Sequence, residues 1–208
     1  MKRRSILVGL MLLGVLPALA QDQGIYAPEV PDNYSFVRVV DMAGTEGASG
    51  TLSGVSFTTG QSGASDYIAV APGPSSLVVD AQSWSVQLPE AKILTIAYRA
   101  EGEPVVLEDE VSDDPTKATL ALYNFGSADA GMSTFLKQDV EILPGTAPGS
   151  AAYRAINSAT IPIKILQGDA VIAELPDQTI QRRTIVSYFV FNADGGVRVT
   201  SQVDRTRE

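Results

Sequence analysis

The triplet Leu88-Pro89-Glu90 returns as Leu175-Pro176-Asp177, 87 positions later, and an apolar run follows each copy. Leu94-Thr95-Ile96-Ala97-Tyr98 follows the first and Thr184 through Phe191 the second. Each half also opens on a similar stretch, Phe36-Val37-Arg38-Val39-Val40 and Ala118-Thr119-Leu120-Ala121-Leu122. A period of this size is one small β module, so the chain reads as two tandem copies of one unit. Such duplicated modules more often hold molecules together than transform them.

The local pattern agrees. Runs of β-branched and aromatic residues are broken by Pro72, Gly73, Pro74, Pro89 and the pairs Pro144-Gly145 and Pro148-Gly149, and no segment keeps a helical period. Strands are expected at 34–40, 55–59, 66–71, 75–80, 83–88 and 92–99, then at 118–125, 134–143, 151–157, 160–166, 170–175, 184–191 and 197–203. Residues 41–54 and 126–133 read as loops, and Gln167-Gly168-Asp169 as a hairpin turn. Thr184–Phe191 is largely apolar on both faces, the mark of a central strand, whereas Val197, Val199 and Val203 alternate with polar residues as in a half-exposed one. The fold expected is all-β: two tandem β-sandwiches, immunoglobulin-like or jelly-roll-like, over 34–100 and 116–203. An acidic linker at 101–115 joins them, with an extended lead-in at 21–33 and a tail at 204–208.

The first twenty residues carry an address. Lys2, Arg3 and Arg4 precede an apolar stretch from Ile6 to Leu16, and Ala18-Leu19-Ala20 offers a small-x-small cleavage site. That stretch is shorter than the roughly 20 residues a spanning helix needs, so removal before Gln21 is expected, with no membrane span afterwards. Cysteine is absent although an exported chain is free to use disulfides, so packed sheets must supply the stability.

Charge is lopsided. Residues 21–116 hold three bases against fifteen acids, and residues 117–208 nine of each. A chain of this balance does not bind nucleic acid by counterion release. Histidine is also absent, which removes the usual general base and the commonest metal ligand. Serines are plentiful, but no G-x-S-x-G elbow or S-x-x-K pairing activates one. No catalytic residue, metal site or cofactor is expected. The acidic stretch contains Glu108, Asp109, Glu110, Asp113 and Asp114, an oxygen set suited to calcium, but the spacing departs from the calcium-loop pattern and a solvated run is the simpler reading.

Two kinds of side chain are candidates for contact with a partner. Arg38 shares a strand face with Phe36 and Val40, so it either pairs internally or is displayed. Arg182, Arg183 and Arg198, with Arg205 and Arg207, give the second half its cationic surface. Arg38, Arg182, Arg183 and Arg198 are therefore the candidate partner or polymer contacts. Trp84, the single tryptophan, shares a face with Val86 and Leu88 and reads as core rather than as a sugar platform.

The segment from Ile25 to Val40 adds a resemblance. Tyr26-x-Pro28, a second proline at Pro31 and the strand Phe36-Val37-Arg38 resemble the start of mature AlgF proteins, and Leu120-Ala121-Leu122-Tyr123-Asn124 and Leu175-Pro176-Asp177 are consistent with the same family. The resemblance implies a periplasmic accessory protein of alginate O-acetylation with no catalytic residues of its own. It implies partners as well: a membrane-bound acyltransferase and periplasmic acetyltransferases of the SGNH type, with alginate as a further contact. The acidic first half is at odds with direct binding of a polyanion. Two other classes fit the residues alone: a stand-alone exported carbohydrate-binding or adhesin-like β protein, and an acetyl carrier or transferase that uses a serine.

Overall fold

Sixteen strands and no helix make up the described part of the chain, which in the computed structural model is residues 30–135, 138–193 and 195–205. The proposed signal sequence and most of the lead-in lie outside the described residues. In the first half the strands are β1 (Ser35–Asp41), β2 (Ser49–Leu52), β3 (Val55–Thr58), β4 (Ile68–Val70), β5 (Gly73–Val79), β6 (Gln82–Leu88), β7 (Ile93–Tyr98) and β8 (Val105–Glu108). The second half has β9 (Lys117–Phe125), β10 (Ala130–Phe135), β11 (Asp139–Thr146), β12 (Ser150–Asn157), β13 (Ala159–Gln167), β14 (Ala170–Ile180), β15 (Thr184–Ala193) and β16 (Gly196–Arg205).

The duplication read from the sequence is explicit in the topology. The first half has sheets ordered β4-β1-β7-β8 and β3-β2-β5-β6; the second has β12-β9-β15-β16 and β11-β10-β13-β14, the same two orders with every strand number raised by eight. β1 runs parallel to β7 and β9 parallel to β15, an unusual pairing repeated in both copies. The residue that leads into each second partner also repeats. Ala91 (φ 52°) and Arg183 (φ 60°) are both left-handed, and their N–H groups donate to Asn33 O and Lys117 O at 3.2 and 2.7 Å.

Three layers of core follow from strand alternation. Val37, Val39, Leu94 and Ile96 point to the outer sheet of the first half and meet Leu52, Leu77 and Leu88. Leu120, Leu122, Val186, Tyr188 and Val190 do the same in the second half, against Met132, Ile163 and Ile165. The opposite faces of the two inner sheets, β4-β1-β7-β8 and β12-β9-β15-β16, pack on each other. Val40, Ala64 and Ala97 from one side join Ala121, Tyr123, Phe125, Ile185, Phe189 and Phe191 from the other. Four sheets are thus stacked, and β9 and β15 are buried on both faces, which is why their sequences lack polar alternation.

Several expectations need amending. Residues 101–115, read as a linker with one short strand at Val105-Val106-Leu107, do form that strand as β8, but it pairs at the edge of the first inner sheet, and Asp109 after it is buried. Asp204 and Arg205, assigned to a tail, continue β16. The single strand expected at 134–143 is two, because the chain reverses between Phe135 and Asp139, which are register partners. β2 was hidden in an apparent loop because its core is Ser49-Gly50-Thr51. Gly50 is there for proximity: a Cβ on it would stand 2.2 Å from Val78 O and 2.9 Å from the Phe57 ring. Leu175-Pro176-Asp177 lies inside β14 rather than at a break; β14 is an edge strand, and the register skip between Ile161 and Ile163 accommodates the proline. Trp84 is half-buried against the first core and its Nε1 donates to Gly102 O at 2.9 Å.

Because the atom facing Gly50 is backbone, Gly50→Ala is expected to lower unfolding free energy by about 1–3 kcal/mol. Gly60→Ala, where the nearest atom is 3.7 Å away, is expected to change it by less than about 0.5 kcal/mol. Urea titration of the two variants checks the contrast.

Candidate functional site

The alternation that sends Val37 and Val39 into the first core sends Arg38 into the seam between the two inner sheets, where it is 0% exposed. It is therefore not a displayed contact, and that expectation is corrected: β1 is a central strand, and the face that carries Arg38 is covered by the second half. Its Nε donates to Thr95 Oγ1 at 3.0 Å, and its Nη1 donates to Ser187 Oγ at 2.9 Å and to Asp204 Oδ2 at 3.1 Å. The guanidinium carbon lies 4.9, 4.6 and 5.0 Å from the ring centroids of Tyr67, Tyr123 and Phe189. Nη2 has no hydrogen-bond partner, so these three π faces stand in for one.

A carboxylate answers the cation from the acidic stretch. Asp109, 6% exposed, accepts hydroxyl hydrogens from Tyr67 (2.7 Å) and Thr95 (2.7 Å) on Oδ2 and from Tyr123 (2.9 Å) and Tyr153 (3.0 Å) on Oδ1. Thr95 accepts from Arg38 and donates to Asp109, so one hydroxyl links the two charges. Tyr123 and Tyr153 come from the second half, Tyr67 and Thr95 from the first. A satisfied buried network of this kind fixes one arrangement of the groups that build it.

Burial raises the Tyr123 hydroxyl to about 12, with Arg38 opposing, and holds Tyr67 and Tyr153 well above the ordinary value as well. All three remain hydrogen-bond donors at neutral pH. Burial alone would lower Arg38, but the groups around it, Tyr123, Tyr67, Asp109 and Asp204, reverse the sign and keep it charged. Burial raises Asp204 against the pull of Gln202 and Arg38.

Further polar contacts cross the same seam. Ser62 Oγ donates to Gln202 Oε1 at 2.6 Å, Thr200 Oγ1 to Ser62 O at 2.7 Å, and Gln202 Nε2 to Ser65 O at 3.1 Å. Arg198 lies over the Phe191 ring and donates to Gly44 O, so its head group ties β16 to the first half.

Arg182 and Arg183 are placed differently. They sit exposed in the turn before β15, where Thr184 is the register partner of Arg205. Arg198 pairs in register with Phe191 at the other end of the same ladder. The four predicted arginines are therefore not one patch: Arg38 and Arg198 are in the seam, and Arg182 and Arg183 join Arg205 around an open recess of about 890 Å³. A second cleft, about 470 Å³, opens where the two halves meet, with Ile93, Val111 and Ile185 in its walls and Lys117, Arg183 and Arg205 along it.

The calcium alternative does not assemble. Asp109 turns inward, Glu108 pairs with Lys92, and Asp114 accepts from the N–H and hydroxyl of Thr116. Among the described residues no three acidic side chains converge as a metal site. No helix among them is long and apolar enough to cross a membrane. Sequence reasoning missed Asp109, Asp204 and the tyrosines. The available signal was an arginine flanked by apolar neighbours on a central strand, which must find an acid somewhere.

The sequence profile of one protein family, described as "Alginate O-acetyl transferase AlgF", matches residues 8–187. The alginate biosynthesis protein AlgF of Pseudomonas aeruginosa is 24% identical over 185 residues, spanning 88% of this chain and 85% of that protein. Its counterpart from Pseudomonas putida is 21% identical over 181 residues, spanning 87% and 84%. Among solved structures, the C-terminal domain of AlgF from P. aeruginosa aligns with a TM-score of 0.38 at 22% identity, over 43% of this chain and 99% of that domain.

Removing a buried partner leaves the opposite charge stranded, so Arg38→Met is expected to cost about 3–5 kcal/mol. Arg38→Met combined with Asp204→Leu is expected to recover part of that loss in a double-mutant cycle. The tyrosines predict an alkaline limit. Their unfolded hydroxyls release protons near 10 while Tyr123 holds its own to about 12. Their contribution is therefore complete below pH 10 and is lost as pH rises from there through about 12. Urea midpoints across that window should fall, and should fall less in Tyr123→Phe.

Proposed function

The chain belongs to the AlgF family, and from that premise we propose that it is a non-catalytic adaptor in the O-acetylation of an exported polysaccharide, alginate, in the periplasm. A part in alginate acetylation fits the family description and the names of its relatives. The adaptor role is our reading of the chemistry. Acyl transfer needs a nucleophile beside a base, and the chain has no histidine or cysteine to provide the usual pair. Ser187, the serine most deeply set in the polar seam, accepts from the Arg38 guanidinium, a group that cannot take its proton.

One observation carries the proposal. The densest cluster of ionisable groups among the described residues, Arg38 with Asp109, Asp204 and three tyrosines, is engaged in joining the two sandwiches, with Arg38 and Asp109 themselves buried. A chain built this way presents two surfaces at a set distance and angle. That suits a component that holds an SGNH-type acetyltransferase and a membrane-bound acyltransferase in register on the polymer. Arg182, Arg183 and Arg205, which line an open recess, are our candidates for such contacts. They also favour a second reading, an exported carbohydrate-binding protein that acts without partners.

Deletion of the gene is expected to abolish acetylation of the exopolymer without stopping its synthesis, and complementation with Arg182→Glu/Arg183→Glu is expected to restore it only in part. Unchanged acetyl content after deletion would remove the proposal. Isothermal titration with acetylated and de-acetylated mannuronate oligomers separates the second reading, which requires tight binding by the chain alone. Turnover of an acetyl ester by the purified chain would show that it is an enzyme after all.

A further inference from the structure

The outer sheet of the second half carries a cleft of about 490 Å³ on the face turned away from the core. Four acids border it: Asp129, Asp139, Glu141 and Asp169. Asp139 is paired with Lys164 at 3.2 Å, while the other three are exposed and make no ion pair among the described residues. Acids on a surface are by themselves only a solvated face. The wall of this cleft adds a second and independent feature, Ser133. It is 7% exposed, and its Oγ has no hydrogen-bond partner. A buried hydroxyl left without a partner is costly and rare, and its place in the cleft wall gives it something to meet there.

The room in the cleft has a residue-level cause. Gly131 and Gly145 line it, and neither adopts the left-handed conformation that would call for glycine. A Cβ on Gly131 would find its nearest neighbour at 3.5 Å, and one on Gly145 at 3.9 Å, so crowding does not exclude a side chain at either. Leu166 adds apolar surface to the lining, and Leu143, whose side chain is in the core, contributes backbone.

The chemistry selects an occupant. A bare divalent ion is not held, because no three carboxylates converge among the described residues. A uronate polymer meets like charge. A lysine or arginine side chain satisfies every feature: its stem packs on Leu166, its head faces Asp129, Glu141 and Asp169, and one of its N–H groups donates to Ser133 Oγ. We propose that this cleft is a docking site for a basic segment of a partner protein. The inference rests on the adaptor reading for the partner being a protein, and it assigns that contact to the outer sheet of the second half, built by β10, β11 and β13.

The test uses the exported chain, isotopically labelled, and a capped glycine heptapeptide with two arginines as the probe. Amide shifts confined to residues 129–133, 139–145 and 166–169 are expected. Affinity should fall about tenfold in Asp129→Asn/Glu141→Gln/Asp169→Asn and severalfold in Ser133→Ala, at unchanged melting temperature. A glutamate version of the peptide, a mannuronate hexamer and calcium chloride should leave these amides unmoved. No shift with the arginine peptide, shifts elsewhere, equal affinity in the acid-to-amide variant, or binding of the hexamer or calcium at these amides would each overturn the proposal. The outcome is separable from the adaptor reading. If the peptide binds as expected while gene deletion leaves acetylation intact, the cleft stands and the adaptor role falls; if deletion abolishes acetylation and the peptide does not bind, the reverse holds.

Discussion

A cation buried between two sheets governs this molecule. Arg38 loses its water on folding, a penalty of several kcal/mol that a single ion pair in a low-dielectric interior barely offsets. The structure answers with an oversupply of partners: two hydroxyls, one direct carboxylate, three aromatic faces, and a second carboxylate held one hydroxyl away. Those groups come from β4's entry, β7, the end of β8, β9, β15 and β16. No rearrangement of one half against the other leaves them all satisfied. The seam therefore resists sliding far more than an apolar contact of the same area, whose energy is nearly indifferent to register.

The aromatic layer beside the cation does the complementary work. Tyr123 stacks on Phe189 at 5.1 Å and Phe125 on Phe191 at 5.9 Å, linking β9 to β15 across the parallel pair. Such pairs add about 0.5–1.5 kcal/mol each beyond their burial. Parallel pairing is the less stable of the two ladder types, so it is reasonable that the parallel strands of the second half carry the densest aromatic packing. The corresponding pair in the first half, β1 and β7, has small or polar residues at Arg38, Thr95 and Ala97 on that face and receives the rings of its neighbour instead.

Much of this was legible in the sequence. The duplication, the all-β class and the central position of Thr184–Phe191 follow from periodicity, because a strand covered on both faces has no reason to alternate. What could not be read is what covered the second face. An apolar run on Ala118–Phe125 is equally compatible with a thick sandwich and with a sheet stacked on a neighbouring domain, and only the second puts Arg38 indoors. The acidic stretch misled for a related reason. Seven acids without a base between Glu101 and Asp114 look solvated on average, yet Asp109 alone turns inward to meet four hydroxyls, and an average does not reveal one exception. β2 escaped because the glycine needed for its close approach to Val78 is also the commonest residue of loops.

The ion pair at the centre of the seam spans residues 38 and 204. The first strand among the described residues is thus completed by the last, and the intervening chain has to be in place before this pair forms. A product that stops short of β16 would keep the Thr95 and Ser187 hydroxyls and the aromatic faces on Arg38 but lack the Asp204 carboxylate, its direct ion pair. Clipping near residue 204 would consequently be felt at Arg38, at the far end of the described chain.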